Sequence, residues 1–137
     1  LTALPEARRI AVLGCGGDRD RDKRRPMGAA AAQCADVVLV TDDNPRTEDP
    51  AAIRAEVLAG ASAAAATSGA EVIDGGDRRS AIARALALAG PGDWVAVLGR
   101  GHETSQLIGG AAIPFDDVLV ARQEWSDATA PAQTGEN

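Results

Sequence analysis

Thr41-Asp42-Asp43-Asn44-Pro45-Arg46 packs two carboxylates, a carboxamide, a rigid proline and a guanidinium into one short stretch. Arg46 offers a planar fork for a carboxylate or phosphate, and Asp42 and Asp43 offer a receptor for an ammonium. Pro45 fixes its own φ and biases Asn44 toward an extended backbone, so the stretch has little freedom to wander. One such loop can grip both charges of an amino acid. It can equally be a polar turn whose Asp and Asn side chains cap the next helix. Taken alone, the stretch leaves the two readings level.

Two other stretches carry comparable chemistry. Gly14-Cys15-Gly16-Gly17-Asp18-Arg19-Asp20 runs on through Arg21-Asp22-Lys23-Arg24-Arg25 to Pro26. Its glycines let backbone approach a ligand closely, and Arg19 and Lys23 can aim cations at it, while Arg21, Asp22 and Arg24 read as a solvated charged loop. No G-x-G-x-x-G is completed, because the glycine after Gly17 is Gly28, and no Gly-Lys-Ser/Thr follows to make a phosphate loop. Gly99-Arg100-Gly101-His102-Glu103 is the third. A His beside a Glu suggests acid–base work or a metal ligand, but the chain has no second His to complete a metal site.

Regular elements must place these loops. Arg8–Gly14, Val37–Val40, Glu71–Ile73 and Trp94–Leu98 read as strands, and the first, second and fourth run straight into the three polar loops. Helices are expected over Met27–Ala35 with Pro26 in the first turn, over Ala51–Ala59 behind Asp49-Pro50, and from Asp77 to Ala89. A last helix, capped by Asp116 or Asp117, should run through Trp125. Gly60–Gly69 is either a connector or a helical extension, and Asp74–Asp77 a turn. Gln106–Ile108 and Ala111–Pro114 around Gly109-Gly110 form a two-residue hairpin. Strand–helix alternation implies a mostly parallel sheet, in which ligands bind beyond the carboxyl ends of the strands. All three polar loops then share one edge, which favours a binding site over scattered turns.

Bulk composition narrows the class. At 137 residues, with 45% hydrophobic and only 2% aromatic side chains, the chain suits one domain with an aliphatic core of helices on a sheet. Long Ala runs are discounted as compositional bias. A net charge of −6 argues against a nucleic-acid or anionic-membrane surface. No apolar stretch reaches membrane-spanning length and no signal-peptide pattern opens the chain, so a cytoplasmic setting is expected. Cys15 and Cys34 then read as buried free thiols.

Taken together, Gly14-Cys15-Gly16-Gly17-Asp18-Arg19-Asp20, Lys23, Met27-Gly28, Thr41-Asp42-Asp43-Asn44-Pro45-Arg46, Gly99-x-Gly101-His102-Glu103 and Asp117…Val120-Ala121-Arg122 resemble the C-terminal domain of the Mur ligases. The resemblance runs from about Ile10 to Trp125, and the Asp-Asn-Pro-Arg form is that of the diaminopimelate-adding branch. It implies an α/β, Rossmann-like domain over residues 8–125, between a truncated lead-in at 1–7 and a disordered tail at 126–137. It also implies the domain that receives the incoming amino acid. On that basis Asn44 and Arg46 hold the distal carboxylate-bearing end of diaminopimelate, with Asp43 beside them, Arg19 assisting, and Gly99 and Glu103 on the same amino-carboxylate centre. Lys23 approaches the nucleotide phosphates, and His102 is structural.

The full enzyme so implied uses ATP and Mg²⁺ to join diaminopimelate to UDP-MurNAc-L-Ala-D-Glu in peptidoglycan synthesis. This chain carries no catalytic or metal-binding residue of its own and is expected to be an inactive monomer without the N-terminal and central ligase domains. Departures are Arg100 where relatives often have Lys, Pro26 one residue later than in the usual Lys-Arg-Pro, and the absence of the segment that opens the family's domain. The chain thus resembles the domain without its first strand and helix. Two other readings are a non-catalytic binding or interaction module on this fold, and a dinucleotide binder with Asp42 or Asp43 closing the second strand.

Overall fold

A computed structural model describes residues 7–129. Four parallel strands form its sheet: β1 (Arg9–Leu13), β2 (Val37–Thr41), β3 (Glu71–Gly76) and β4 (Trp94–Val97), in the order β3-β2-β1-β4. Between them lie α1 (Arg24–Cys34), α2 (Pro50–Ser68) and α3 (Arg78–Leu88). A hairpin, β5 (Ser105–Ile108) with β6 (Ala111–Pro114), and a last helix, α4 (Asp117–Thr129), complete the fold. This is the expected α/β architecture with a C-terminal hairpin and helix.

Alternation along the strands divides the core in two. Ile10, Val12, Val37 and Leu39 face Ala81, Ile82 and Ala85 of α3 and Val120 of α4. Leu13, Val38 and Val40 point the other way, onto Ala32 of α1 and Ile53, Val57 and Ala61 of α2. β1 and β2 are therefore buried on both faces, which is why they read as near-continuous apolar runs. α1 and α2 pack backbone to backbone: a Cβ at Gly28 would stand 2.1 Å from the Val57 carbonyl, and one at Gly60 2.0 Å from that of Arg25. The Ala-rich composition is thus used here, since only small residues allow so close a crossing.

Several boundaries differ from the sequence reading. The chain enters α1 through a 3-10 turn at Arg21–Lys23, so α1 begins at Arg24 and Pro26 sits in its first turn, where no intrahelical N–H is needed. α2 runs unbroken to Ser68 and stops at Gly69, whose φ of 80° supplies the left-handed terminus. β3 continues through the expected turn to Gly76, with a register shift opposite Val40 and Thr41. α4 extends past Trp125 to Thr129, so residues 126–129 are helical rather than tail. The lead-in at 1–6 and the tail at 130–137 lie outside the described residues. Caps are as expected: Asp49, Asp77 and Asp116 each accept a first-turn N–H. The hairpin turns on Gly109 and Gly110, both at positive φ, which a two-residue turn of this kind demands. Among the described residues no helix is long and apolar enough to cross a membrane.

Candidate functional site

β1, β2 and β4 are adjacent and parallel, so the loops after them open on one edge. From β1 the chain goes first to β2 on one side and later to β4 on the other, and the crevice at such a switch point is where open α/β sheets take ligands. A cleft of ≈ 480 Å³ lies there, lined by Gly14, Gly16, Arg19, Lys23, Asp43 and Gly99 among others. A second depression of ≈ 470 Å³, beside Trp94 and Cys34 on the open face of β4, is almost wholly apolar.

The segment after β2 is clasped from both sides. On one side, Gly17 N–H donates to the Asn44 carbonyl at 2.7 Å and Arg46 Nη1 donates to the Gly17 carbonyl at 2.8 Å. Asp18 N–H reaches Glu48 Oε1 at 2.7 Å, and the Thr47 hydroxyl donates to the Asp18 carboxylate at 2.7 Å. The approach is so close that a Cβ at Gly17 would fall 1.8 Å from the Pro45 carbonyl. On the other side, Arg46 N–H donates to the Leu107 carbonyl at 2.8 Å, and Gly109 N–H to the Arg46 carbonyl at 2.7 Å. Leu107 N–H donates to Asn44 Oδ1 at 3.0 Å, and Gln106 Nε2 to the Asp43 carbonyl at 2.6 Å. Held between glycine loop and hairpin, Arg46 adopts φ 54°, a strained conformation for a side-chain-bearing residue that only over-determined surroundings maintain.

The expected site residues meet at this edge, in two groups. Arg19, Lys23, Asp43 and Gly99 line the cleft. Asn44, Arg46 and Glu103 do not, but are joined to it. Asn44 is buried and its Nδ2 donates to Glu103 Oε2 at 2.8 Å. Arg46 Nη1 and Arg19 Cγ flank Gly16, 3.0 and 3.5 Å from where a Cβ there would be. Gly99, at φ 105°, leaves room for Asp43, whose Oδ2 lies 3.1 Å from its missing Cβ. Cations thus gather around the glycine loop, and the Asp43 and Glu103 carboxylates lie towards β4 and the hairpin. Burial pushes the Asp43 carboxyl above its ordinary range; Arg78 opposes this and the Glu103 charge adds to it. Asp42 is committed elsewhere, accepting from Arg54 Nη1 at 2.7 Å while Arg54 Nε pairs with Asp74. His102 is exposed.

Arg24 corrects the reading of a solvated loop. It is only 1% exposed, donates to Glu56 at 2.6 Å and Glu48 at 2.9 Å, and reaches the Gly16 carbonyl at 3.2 Å. It therefore ties α1 and α2 to the glycine loop, and its guanidinium holds both glutamates below their ordinary range. Its partners lie far along the chain, so no local signal marked it. Cys34 is a second correction. It is exposed near the end of α1, whereas Cys15 is buried as expected, and burial pushes its thiol up. Sequence reasoning also passed over the buried pair Arg78–Asp117, which joins α3 to α4 at 2.7 and 2.8 Å and donates on to the carbonyls of Asp42 and Leu98. Asp117 stood in the recognised pattern, but its partner did not.

Among known proteins, residues 1–101 match the family model "Mur ligase, glutamate ligase domain". The UDP-N-acetylmuramoyl-L-alanyl-D-glutamate--2,6-diaminopimelate ligase of Streptomyces avermitilis is 53% identical over 90% of this chain and 24% of its own length. The enzyme of that name from Caulobacter vibrioides is 55% identical over 83% of this chain and 22% of its own. A solved structure of a ligase with the same name superposes with a TM-score of 0.81 at 42% identity, covering 90% of this chain and 24% of that one. The chain thus spans about a quarter of the length of these relatives. With matches of this extent and identity, and the polar loops at one sheet edge, the chain belongs to the Mur ligase family and corresponds to its C-terminal domain.

Proposed function

We propose that this domain receives diaminopimelate for a ligase that adds it to UDP-MurNAc-L-Ala-D-Glu in peptidoglycan synthesis. The observation that carries the reading is the two-sided clasp on Asn44–Arg46, which holds a guanidinium against the glycine loop and a carboxamide on the Glu103 carboxylate. The distal end of diaminopimelate is itself an amino-acid head group. Its carboxylate suits Arg46, with Arg19 and the Asn44 amide, and its ammonium suits Asp43 and Glu103, with the Gly99 backbone alongside. Lysine has the ammonium without the carboxylate and would leave Arg46 without an anion. The names of the relatives support the same substrate.

In the whole enzyme, ATP with Mg²⁺ would activate the D-glutamyl carboxylate as an acyl phosphate for attack by the diaminopimelate amine. The exposed Lys23 and Arg19 cations in the cleft fit an anionic group such as a phosphate. This chain's share would be to position the amine, so rate would come from orientation and not from a residue that exchanges protons. Alone, the chain would show no ligase activity.

Calorimetric titration with meso-diaminopimelate, with lysine as control, tests the reading. Binding of diaminopimelate that lysine does not match and that disappears in Arg46→Ala is the expected result. Equal binding of lysine, or an unchanged Arg46→Ala, overturns it. The raised Asp43 carboxyl adds a pH signature. Protonation removes the negative charge that receives the ammonium, so affinity should fade as pH drops through a midpoint above the ordinary aspartate value of 3.8.

A further inference from the structure

Behind the acidic half of the site lies a third buried guanidinium, after those of Arg24 and Arg78. Arg100 is 3% exposed and its carbon sits 5.1 Å from the centre of the Phe115 ring. Nη2 donates to the carbonyls of Ser105 and, at 2.9 Å, Phe115, fastening the loop after β4 to the end of the hairpin. The other two nitrogens, Nε and Nη1, are buried without a hydrogen-bond partner among the described residues. Each faces a carboxylate just beyond bonding reach: Nε lies 3.8 Å from Glu103 Oε2, and Nη1 3.6 Å from Asp117 Oδ1.

Unpaired buried donors on a cation are costly, so their orientation calls for a reason beyond fastening carbonyls. The two carboxylates differ. Asp117 is fixed, clasped by both Nε and Nη2 of Arg78. Glu103 is half exposed, on a loop with positive φ at Gly99 and Gly101; its backbone exchanges hydrogen bonds with Arg100, but the only hydrogen bond to its carboxylate among the described residues comes from Asn44 Nδ2. Its Oε2 therefore lies between a bonded amide on one side and a fixed cation on the other.

We infer that Arg100, held by the Arg78–Asp117 pair, is a positioning residue that sets the Glu103 carboxylate against Asn44 and so aims the acidic half of the site. Its value for ligand binding rests on the reading of Glu103 as a receptor for the ammonium of diaminopimelate; the aiming of Glu103 does not. A residue that only fastened the loop would act alike whether position 103 were charged or neutral. One that aims a carboxylate must lose its influence when that carboxylate becomes an amide.

The side-chain amide signals of Asn44, followed by ¹⁵N NMR on the ligand-free chain, provide the test. In Arg100→Met they should move toward those of a free carboxamide, and Arg100→Lys, which restores a cation, should bring them back. In a Glu103→Gln background, changing Arg100 should no longer move them. Should Arg100→Met fail to fold, Arg100→Gln, which keeps an amide donor for the Ser105 and Phe115 carbonyls but carries no charge, takes its place in the same cycle with Glu103→Gln. Asn44 signals that ignore residue 100 in a folded variant, or respond equally with Gln at 103, overturn the inference. Calorimetry then adds the functional arm. Diaminopimelate affinity should fall about tenfold in Arg100→Met, the scale of one charge-assisted hydrogen bond, and recover in Arg100→Lys. A wild-type chain that binds no diaminopimelate would sink the proposed function while leaving the Asn44 result standing.

Discussion

The two walls of the candidate site are built on opposite principles. The wall after β2 is fixed: Asn44 is buried, Arg46 is bonded through backbone and side chain to two different neighbours, and Gly17 sits against Pro45. The wall after β1 ends in exposed side chains, Arg19 on the glycine loop and Lys23 on the 3-10 turn that follows it. A fixed wall can discriminate, because its groups have already lost their freedom and cannot rearrange to accept a poor ligand. An exposed cation attracts and screens a charge but imposes little shape. Recognition of the amino-acid end should therefore be concentrated in Asn44 and Arg46, and general attraction of anions in Arg19 and Lys23.

The strongest way to break this difference is to force the fixed wall open. Gly17→Ala puts a methyl where the Pro45 carbonyl already stands, 1.8 Å away, so the two loops must part. Destabilisation of about 3 kcal/mol, measured by urea unfolding, is expected together with loss of diaminopimelate binding. An alanine tolerated with unchanged stability would mean that the clasp is loose.

Arg24→Met removes the clamp from behind. Glu48 and Glu56 keep about a quarter of their side-chain surface in water, so the loss should be about 2 kcal/mol, smaller than for a fully enclosed pair. This variant also has a pH signature. Both glutamates are held below their ordinary value of 4.5 in the folded chain, so the unfolded chain takes up their protons first. Their contribution is complete above 4.5 and fades as pH falls from there through the lowered folded values. Arg24→Met should therefore lose less stability between neutral pH and that acid window than wild type does. Parallel curves for the two proteins would contradict the role given to Arg24.

Legibility from sequence followed the range of the interactions. Strand–helix alternation, the Asp caps and the Gly109-Gly110 turn are local signals, and they gave the architecture to within a few residues at most boundaries. The polar loops were legible because parallel strands bring their ends together whatever the details of packing. Arg24 was not: it stands in a run of charges, and its partners lie 24 and 32 residues further on. The Arg78–Asp117 pair spans 39 residues and joins two helices, each of which looks locally like an ordinary capped start. Gly60–Gly69 was ambiguous because alanine suits connector and helix alike until the crossing with α1 is known. Cys34 went wrong because the C-terminal turn of α1 carries no strong apolar periodicity to say which side faces in.

Arg46 separates geometry from charge within the fixed wall. At φ 54° any side chain with a Cβ is strained, so Arg46→Gly should be more stable than Arg46→Ala by about 1 kcal/mol. Both should lose diaminopimelate selectivity, since both remove the guanidinium. If Arg46→Gly instead retained binding, the loop backbone and not the cation would be the recognition element.

Arg19→Ala should have the smallest effect on the fold and so gives the sharpest comparison. Its side chain is exposed, and truncating it should change stability by no more than about 0.5 kcal/mol. Affinity for diaminopimelate should nevertheless fall, because Arg19 stands beside Arg46 around Gly16 and adds to the positive field there. That contribution crosses solvent, so it should shrink as salt is raised from about 0.05 to 0.5 M, where screening is strong. The Arg46 contribution, part-buried and bonded to the Gly17 carbonyl, should persist over the same range. Titrating both variants at the two salt concentrations measures this directly. Two losses that shrink together with salt would place Arg46 with the attracting wall and erase the distinction between the two sides of the site.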